Sequence, residues 1–153
     1  MNYVTIKGFF SIKDFTGVLM NKKIKIESRL VNLRVVENAI DEVNTQIGIN
    51  EENYGKILVS TLEAVHNAIL HGNHSDPEKF VDVEMRFSDN KLMVKVSDEG
   101  LGFSPDEIPD PTIPLNREEP NGRGVFLMSR LADTVKYSKK GNAVTMTFKN
   151  IIS

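Results

Sequence analysis

Two seven-residue runs alternate between apolar and polar side chains, Val81-Asp-Val-Glu-Met-Arg-Phe87 and Lys91-Leu-Met-Val-Lys-Val-Ser97, and only Ser88-Asp89-Asn90 separates them. Successive side chains of a strand point to opposite faces, so each run carries one buried and one wet face. Asp89-Asn90 favours a tight reversal. The pair therefore predicts an antiparallel hairpin with Leu92, Val94 and Val96 turned to a core, and a sheet built this way needs helices or a second sheet to cover that face.

The rest of the chain supplies helices. Lys22 to Ser28 reads as a short strand with Ile24 and Ile26 on one face. From Val31 to Ile47 the apolar residues Val36, Ala39, Ile40, Val43 and Ile47 recur at three- and four-residue spacing, which predicts a helix that Gly48 ends. Asn50 suits the N-cap of a second helix and Glu51 and Glu52 its positive end. That helix is expected to run to about Leu70, burying Tyr54, Ile57, Leu58, Thr61, Leu62, Val65 and Ile69, until Gly72 stops it. Glu63, Asn67 and His71 follow one another at four-residue intervals on another side. A second hairpin, Thr134–Tyr137 and Ala143–Phe148 turned at Gly141-Asn142, closes the chain. A glycine- and proline-containing stretch from Asp98 to Asn121 lies between the hairpins, followed by a helix from about Arg123 to Leu131. So long a loop in a compact domain is usually a functional lid or a disordered segment. The order of elements predicts one domain over 1–153, an α+β two-layer sandwich.

Composition narrows the function classes. A chain of 153 residues with 40% hydrophobic and 26% charged residues is ordinary globular material. The net charge of −2 and the absence of a long basic cluster argue against nucleic-acid binding. There is no cysteine, which excludes disulfides, thiolate metal sites and a cysteine nucleophile. Neither a signal peptide nor a membrane span is legible, so a soluble cytoplasmic protein without membrane contact is the expectation.

Three short segments carry the chemistry. Asp98-Glu-Gly-Leu-Gly102 follows a strand pattern; a carboxylate there can accept a hydrogen bond from an exocyclic amine such as that of adenine, and Gly100 and Gly102 let a planar ligand approach the backbone. Alone, it reads first as an ordinary turn. Gly122-Arg123-Gly124 opens a helix whose free N–H groups can receive phosphate oxygens. Alone, it is a plain helix entry. Glu63 and Asn67 lie one turn apart on a helix face. An amide oxygen suffices as the single protein ligand of a magnesium ion that takes its others from water and phosphate, and Glu63 can deprotonate a hydroxyl. The histidines His66 and His71 are five residues apart, on different faces of a regular α-helix, and His74 lies past the stop, which argues against zinc.

With those residues in view, Leu62-Glu-Ala-Val-His-Asn-Ala-Ile-Leu-His-Gly72, Val96-Ser-Asp-Glu-Gly-Leu-Gly-Phe103 and Asn121-Gly-Arg-Gly-Val-Phe-Leu-Met128 resemble the N, G1 and G2 boxes of the GHKL-type ATPases. Within that superfamily the chain is most similar to the anti-sigma-factor serine kinases, from about Lys25 to Phe148. The resemblance implies a Bergerat-type fold, with a mixed, largely antiparallel sheet and helices on one face. It implies Mg2+ and ATP between the Glu63 helix and the loop after Asp98. Glu63 would be the catalytic base, Asn67 the magnesium ligand and Asp98 the adenine reader, with Gly100 and Gly102 shaping the base pocket. Gly122, Arg123 and Gly124 would face the phosphates in an ATP lid over 98–122.

The same resemblance implies partner switching by a homodimer. The kinase holds a sigma factor, or phosphorylates a serine of a STAS-domain anti-anti-sigma antagonist, and Arg34 in the first long helix is a candidate partner contact. The lid motif lacks the longer glycine string of gyrase- or sensor-kinase-type relatives. Residues 1–22, with Phe9, Phe10 and Phe15, form an extension outside the resemblance that can add an edge strand, cover the sheet or face a partner. Two alternatives stay open: a histidine-kinase-type module working with a separate phosphoacceptor chain, and a binding module gated by nucleotide without transfer.

Overall fold

The computed structural model describes residues 3–9, 20–102 and 128–153. In chain order the elements are β1 (Tyr3–Phe9), β2 (Met20–Glu27), α1 (Leu33–Ile47), α2 (Glu51–Asn67), β3 (Phe80–Ser88), β4 (Lys91–Ser97), β5 (Thr134–Tyr137) and β6 (Ala143–Lys149). A 3-10 turn, Leu30–Asn32, leads into α1, and a π turn, Ala68–Gly72, follows α2. The strands form one sheet in the order β1-β2-β3-β4-β6-β5.

Both hairpins form where alternation placed them. Asp89 and Asn90 hold φ of 50° and 55°, the left-handed pair that a tight two-residue reversal needs. The α+β sandwich is as expected, and among the described residues every pair of adjacent strands is antiparallel, where the expectation was a mixed, largely antiparallel sheet. The reason lies in the excursions. Glu27 at the end of β2 is the register partner of Phe80 at the start of β3, so the two-helix excursion returns to the end of the sheet it left. Ser97 and Ala143 are partners in the same way across β4 and β6. Within the N-terminal extension, β1 is an edge strand on β2, in register through Val4 and Ile24.

The helices have local causes. Gly48 closes α1 in the left-handed region at φ 71°, donating its N–H to the Asn44 carbonyl at 2.8 Å. Asn50 caps α2 by accepting from the Asn53 N–H at 3.0 Å, with Glu51 and Glu52 in the first turn. Val36, Ala39, Ile40 and Val43 of α1 and Ile57, Thr61, Ala64 and Val65 of α2 are buried. They form one core with the inward rows of the sheet, which include Ile24 and Ile26, Val83 and Met85, Leu92 and Val94, and Met146 and Phe148. Tyr54, Leu58 and Leu62 pack at its margin.

Lys22 breaks the binary pattern. It occupies the core-facing row of β2 between Met20 and Ile24 at 1% exposure, and its ammonium pairs with the half-exposed Glu42 carboxylate of α1. The other sheet face alternates outward with charged residues such as Lys23, Lys25, Asp82, Arg86 and Lys95, and among the described residues the helices cover the opposite face only. No helix among the described residues is long and apolar enough to cross a membrane.

Candidate functional site

The site lies where α2 meets the end of β4. Glu63 and Asn67 are both half-buried, one turn apart near the end of α2. The helix was expected to continue to about Leu70; instead the α geometry ends at Asn67, and the chain takes one wider turn in which the Asn73 N–H reaches the Ala68 carbonyl at 2.9 Å. Single π turns of this kind recur at functional sites. Here the turn carries the chain from Asn67 to Gly72, which packs against Asp98.

That contact explains the glycines. A Cβ on Gly72 would lie 2.3 Å from Asp98 Cγ and Oδ2, and one on Gly100 would lie 2.3 Å from the Gly72 carbonyl oxygen. Neither residue is in the left-handed region, so both are glycine for space. Gly102 differs: its φ is +77°, and a Cβ there would meet the Lys140 carbonyl oxygen at 1.9 Å. Gly100 therefore sits against α2's exit and Gly102 against the β5–β6 turn.

Asp98 is held from several sides. Its backbone N–H donates to the Asn142 carbonyl at 2.9 Å, and Asn142 Nδ2 donates to the Asp98 carbonyl at 3.1 Å. Its Oδ1 accepts the Gly100 N–H at 2.8 Å. Burial pushes the carboxyl above its ordinary value, and the Gly100 N–H and the Lys140 charge draw it partly back. A carboxylate fixed in this way, with one oxygen satisfied internally, can accept from a ligand amine through the other.

Partial burial, then the charges of His66 and His74, lower the pKa of His71. Among the described residues no cluster of three or more His, Cys, Asp or Glu is arranged to hold a metal. A magnesium ion that takes most of its ligands from water and phosphate does not need one.

Gly122, Arg123 and Gly124 lie outside the described residues, as does most of the 98–122 stretch. Residues 128–131, the end of the helix expected after them, are helical. Arg34 is exposed at the second position of α1, next to Leu30 and Val31, which are 47% and 68% exposed.

Sequence reasoning missed the parts that hold Asp98 in place. Gly72 read as a helix stop and Asn142 as part of a hairpin turn, and Asn73 and Lys140 were assigned no part in the site. The one available signal was a glycine followed by an asparagine at the end of an amphipathic helix.

A family model described as the histidine kinase-like ATPase domain matches residues 26–148. The anti-sigma F factor of Oceanobacillus iheyensis is 30% identical over 135 residues, 81% of this chain and 92% of that one. Serine-protein kinase RsbW of the same organism is 23% identical over 135 residues, 84% and 85% of the two chains. A crystal structure of the RsbU and RsbW domains of a Mycobacterium tuberculosis protein matches with a TM-score of 0.62 at 17% identity over 84% of this chain, a likeness of fold; this chain spans 32% of that one. The chain belongs to the histidine kinase-like ATPase family, of the GHKL type, alongside the anti-sigma F factors.

Proposed function

We propose that this protein is an ATP-dependent serine kinase that acts as an anti-sigma factor in a partner-switching module. The observation that carries the reading is the contact of Gly72 with Asp98. It sets a half-buried carboxylate, braced by Asn142 and Gly100, beside the helix that bears Glu63 and Asn67. The likeness to an anti-sigma F factor and to a serine-protein kinase supports it.

In this reading Asp98 accepts from the adenine amine, and the glycine contacts keep the turn thin enough for the base to lie on it. Asn67 offers its amide oxygen to Mg2+, and Gly122, Arg123 and Gly124 meet the phosphates. The ion, when bound, neutralises phosphate charge and orients the γ-phosphoryl group. Glu63 takes the proton of a serine hydroxyl as its oxygen bonds to the γ-phosphorus and ADP leaves. The phosphate acceptor is a STAS-domain anti-anti-sigma protein and the sequestered partner a sigma factor. Arg34, with exposed Leu30 and Val31 beside it, supplies a contact surface for them, and the active form is a cytoplasmic homodimer.

The test is thiophosphate transfer from a γ-thio ATP analogue with magnesium in lysate of the native host, comparing wild type with Glu63→Gln. The reading predicts one small protein labelled on serine by the wild type alone. Equal labelling by the variant would remove Glu63 from the mechanism. No Glu63-dependent label, with Mg-ATP binding confirmed in the same sample, would favour the nucleotide-gated binding module.

A further inference from the structure

Asn73 is wholly buried, and its side chain joins three segments distant in sequence. Its Nδ2 donates to the Phe80 carbonyl at 2.9 Å and to Ser28 Oγ at 2.8 Å, and its Oδ1 accepts the Glu99 N–H at 2.8 Å. The Glu99 carboxylate in turn accepts the Phe80 N–H. Asn73, Phe80 and Glu99 thus close a ring of three hydrogen bonds, and Ser28 Oγ, which itself donates to the Lys79 carbonyl at 2.8 Å, anchors the ring to the end of β2. The Asn73 backbone is committed as well, its N–H to Ala68 and its carbonyl to the Asp76 N–H.

This arrangement does more than end a helix. Asn142 grips Asp98 from the β5–β6 turn, and Asn73 grips the next peptide from the opposite side. The residue that ends the π turn also fixes the strand end on which the Asp98 carboxylate depends. An apolar residue at 73 would leave the Glu99 N–H and the Phe80 carbonyl without these partners. The turn between Asp98 and Gly100 would then be free to shift, although the hydrophobic core would keep its side chains.

From this closed ring we infer that Asn73 is a positioning residue for base recognition: it sets the angle and depth of the Asp98 carboxylate, and so the preference for adenine over a 6-oxo purine. The inference rests on the reading of Asp98 as the adenine acceptor. Inosine triphosphate is the discriminating probe, because it presents a carbonyl oxygen where ATP presents the amine.

The experiment measures Mg-ATP and Mg-inosine triphosphate affinities for the full chain, as wild type, Asn73→Ala, Ser28→Ala and Glu99→Ala. The wild type is expected to prefer ATP at least tenfold, and Asn73→Ala to bring that ratio to within about twofold of unity. Ser28→Ala, which spares the Glu99 and Phe80 bonds, is expected to keep the wild-type ratio. Glu99→Ala alters an exposed side chain and removes only its tether to Phe80; its ratio is expected to fall about threefold, and it decides the matter alone should Asn73→Ala not fold. A folded Asn73→Ala that weakens both nucleotides in parallel, or neither, overturns the inference, as does an unchanged ratio in Glu99→Ala. A wild type without preference for ATP marks a different failure, that of the Asp98 reading itself.

Discussion

Replacing Gly72 with alanine tests the contact on which the site depends. The new methyl would stand 2.3 Å from Asp98 Cγ and Oδ2 and 2.7 Å from Oδ1, where ordinary contact begins at 3.4 Å. Gly72 lies outside the left-handed region, so alanine meets no backbone strain and the collision is the whole effect. Asp98 cannot yield as a unit, because Asn142 holds its backbone on both sides. The carboxylate must therefore retreat by roughly 1 Å, which takes it out of range of the Gly100 N–H and of a ligand amine placed for the native position. Loss of a hydrogen bond to a charged acceptor costs about 1.5–3 kcal/mol. The Kd for Mg-ATP should rise about 10- to 100-fold. Overpacking costs about 1–3 kcal/mol and the stiffer unfolded chain returns about 0.4–1, so the melting temperature should fall by only a few degrees. Gly55→Ala, inside α2, is the control, since a Cβ there meets nothing within 4 Å. It should stabilise the protein by about 0.5–1 kcal/mol and leave nucleotide affinity unchanged. The assay is calorimetric titration with Mg-ATP beside thermal unfolding. A folded Gly72→Ala variant with wild-type affinity would falsify the argument from packing.

Four further outcomes follow from the structure. Asp98 is raised above the ordinary carboxylate value of 3.8, so between 3.8 and the raised value the folded chain holds a proton that the unfolded chain has released. Its burial therefore costs stability at neutral pH, a cost that shrinks as pH falls below the raised value and is gone below 3.8. The acid limb of Mg-ATP affinity should accordingly lie above 3.8, and Asp98→Asn should remove it; a limb at the ordinary position would contradict this. Asn50→Ala deletes the α2 cap and should cost about 1 kcal/mol in denaturant unfolding, whereas a change under a few tenths would show that the cap contributes nothing. Glu42→Ala leaves Lys22 buried without its partner and should cost about 1–3 kcal/mol, less than for a fully buried pair because Glu42 is half exposed. Lys22→Met should be neutral or stabilising by the same measurement, and a large loss there would give the ion pair a structural role that packing does not explain.

Much of the fold was legible because its signals are local. Alternation in Val81–Phe87 and Lys91–Ser97, the cap at Asn50 and the left-handed Gly48 each act within a few residues, so the hairpins and both helix boundaries near residue 50 could be read directly. The burial of Lys22 could not, because it depends on Glu42 standing opposite on α1. The antiparallel character of the whole sheet was hidden as well, since it follows from where two long excursions return. The site divides in the same way. Glu63, Asn67 and Asp98 stood out as residue types in a suggestive order. Their supports did not, because Asn73 finds its partners 45, 7 and 26 residues away. The π turn ends where Gly72 meets Asp98, a long-range contact that no helix periodicity encodes.

Titration of the wild type and Asp98→Asn with Mg-ATP, on samples matched for thermal unfolding, tests whether Asp98 reads the adenine. The wild type is expected to bind saturably and the variant to lose at least about 100-fold, because its amide can offer its donor where the base needs an acceptor. Equal affinities in two equally folded proteins would place the adenine elsewhere and contradict the account.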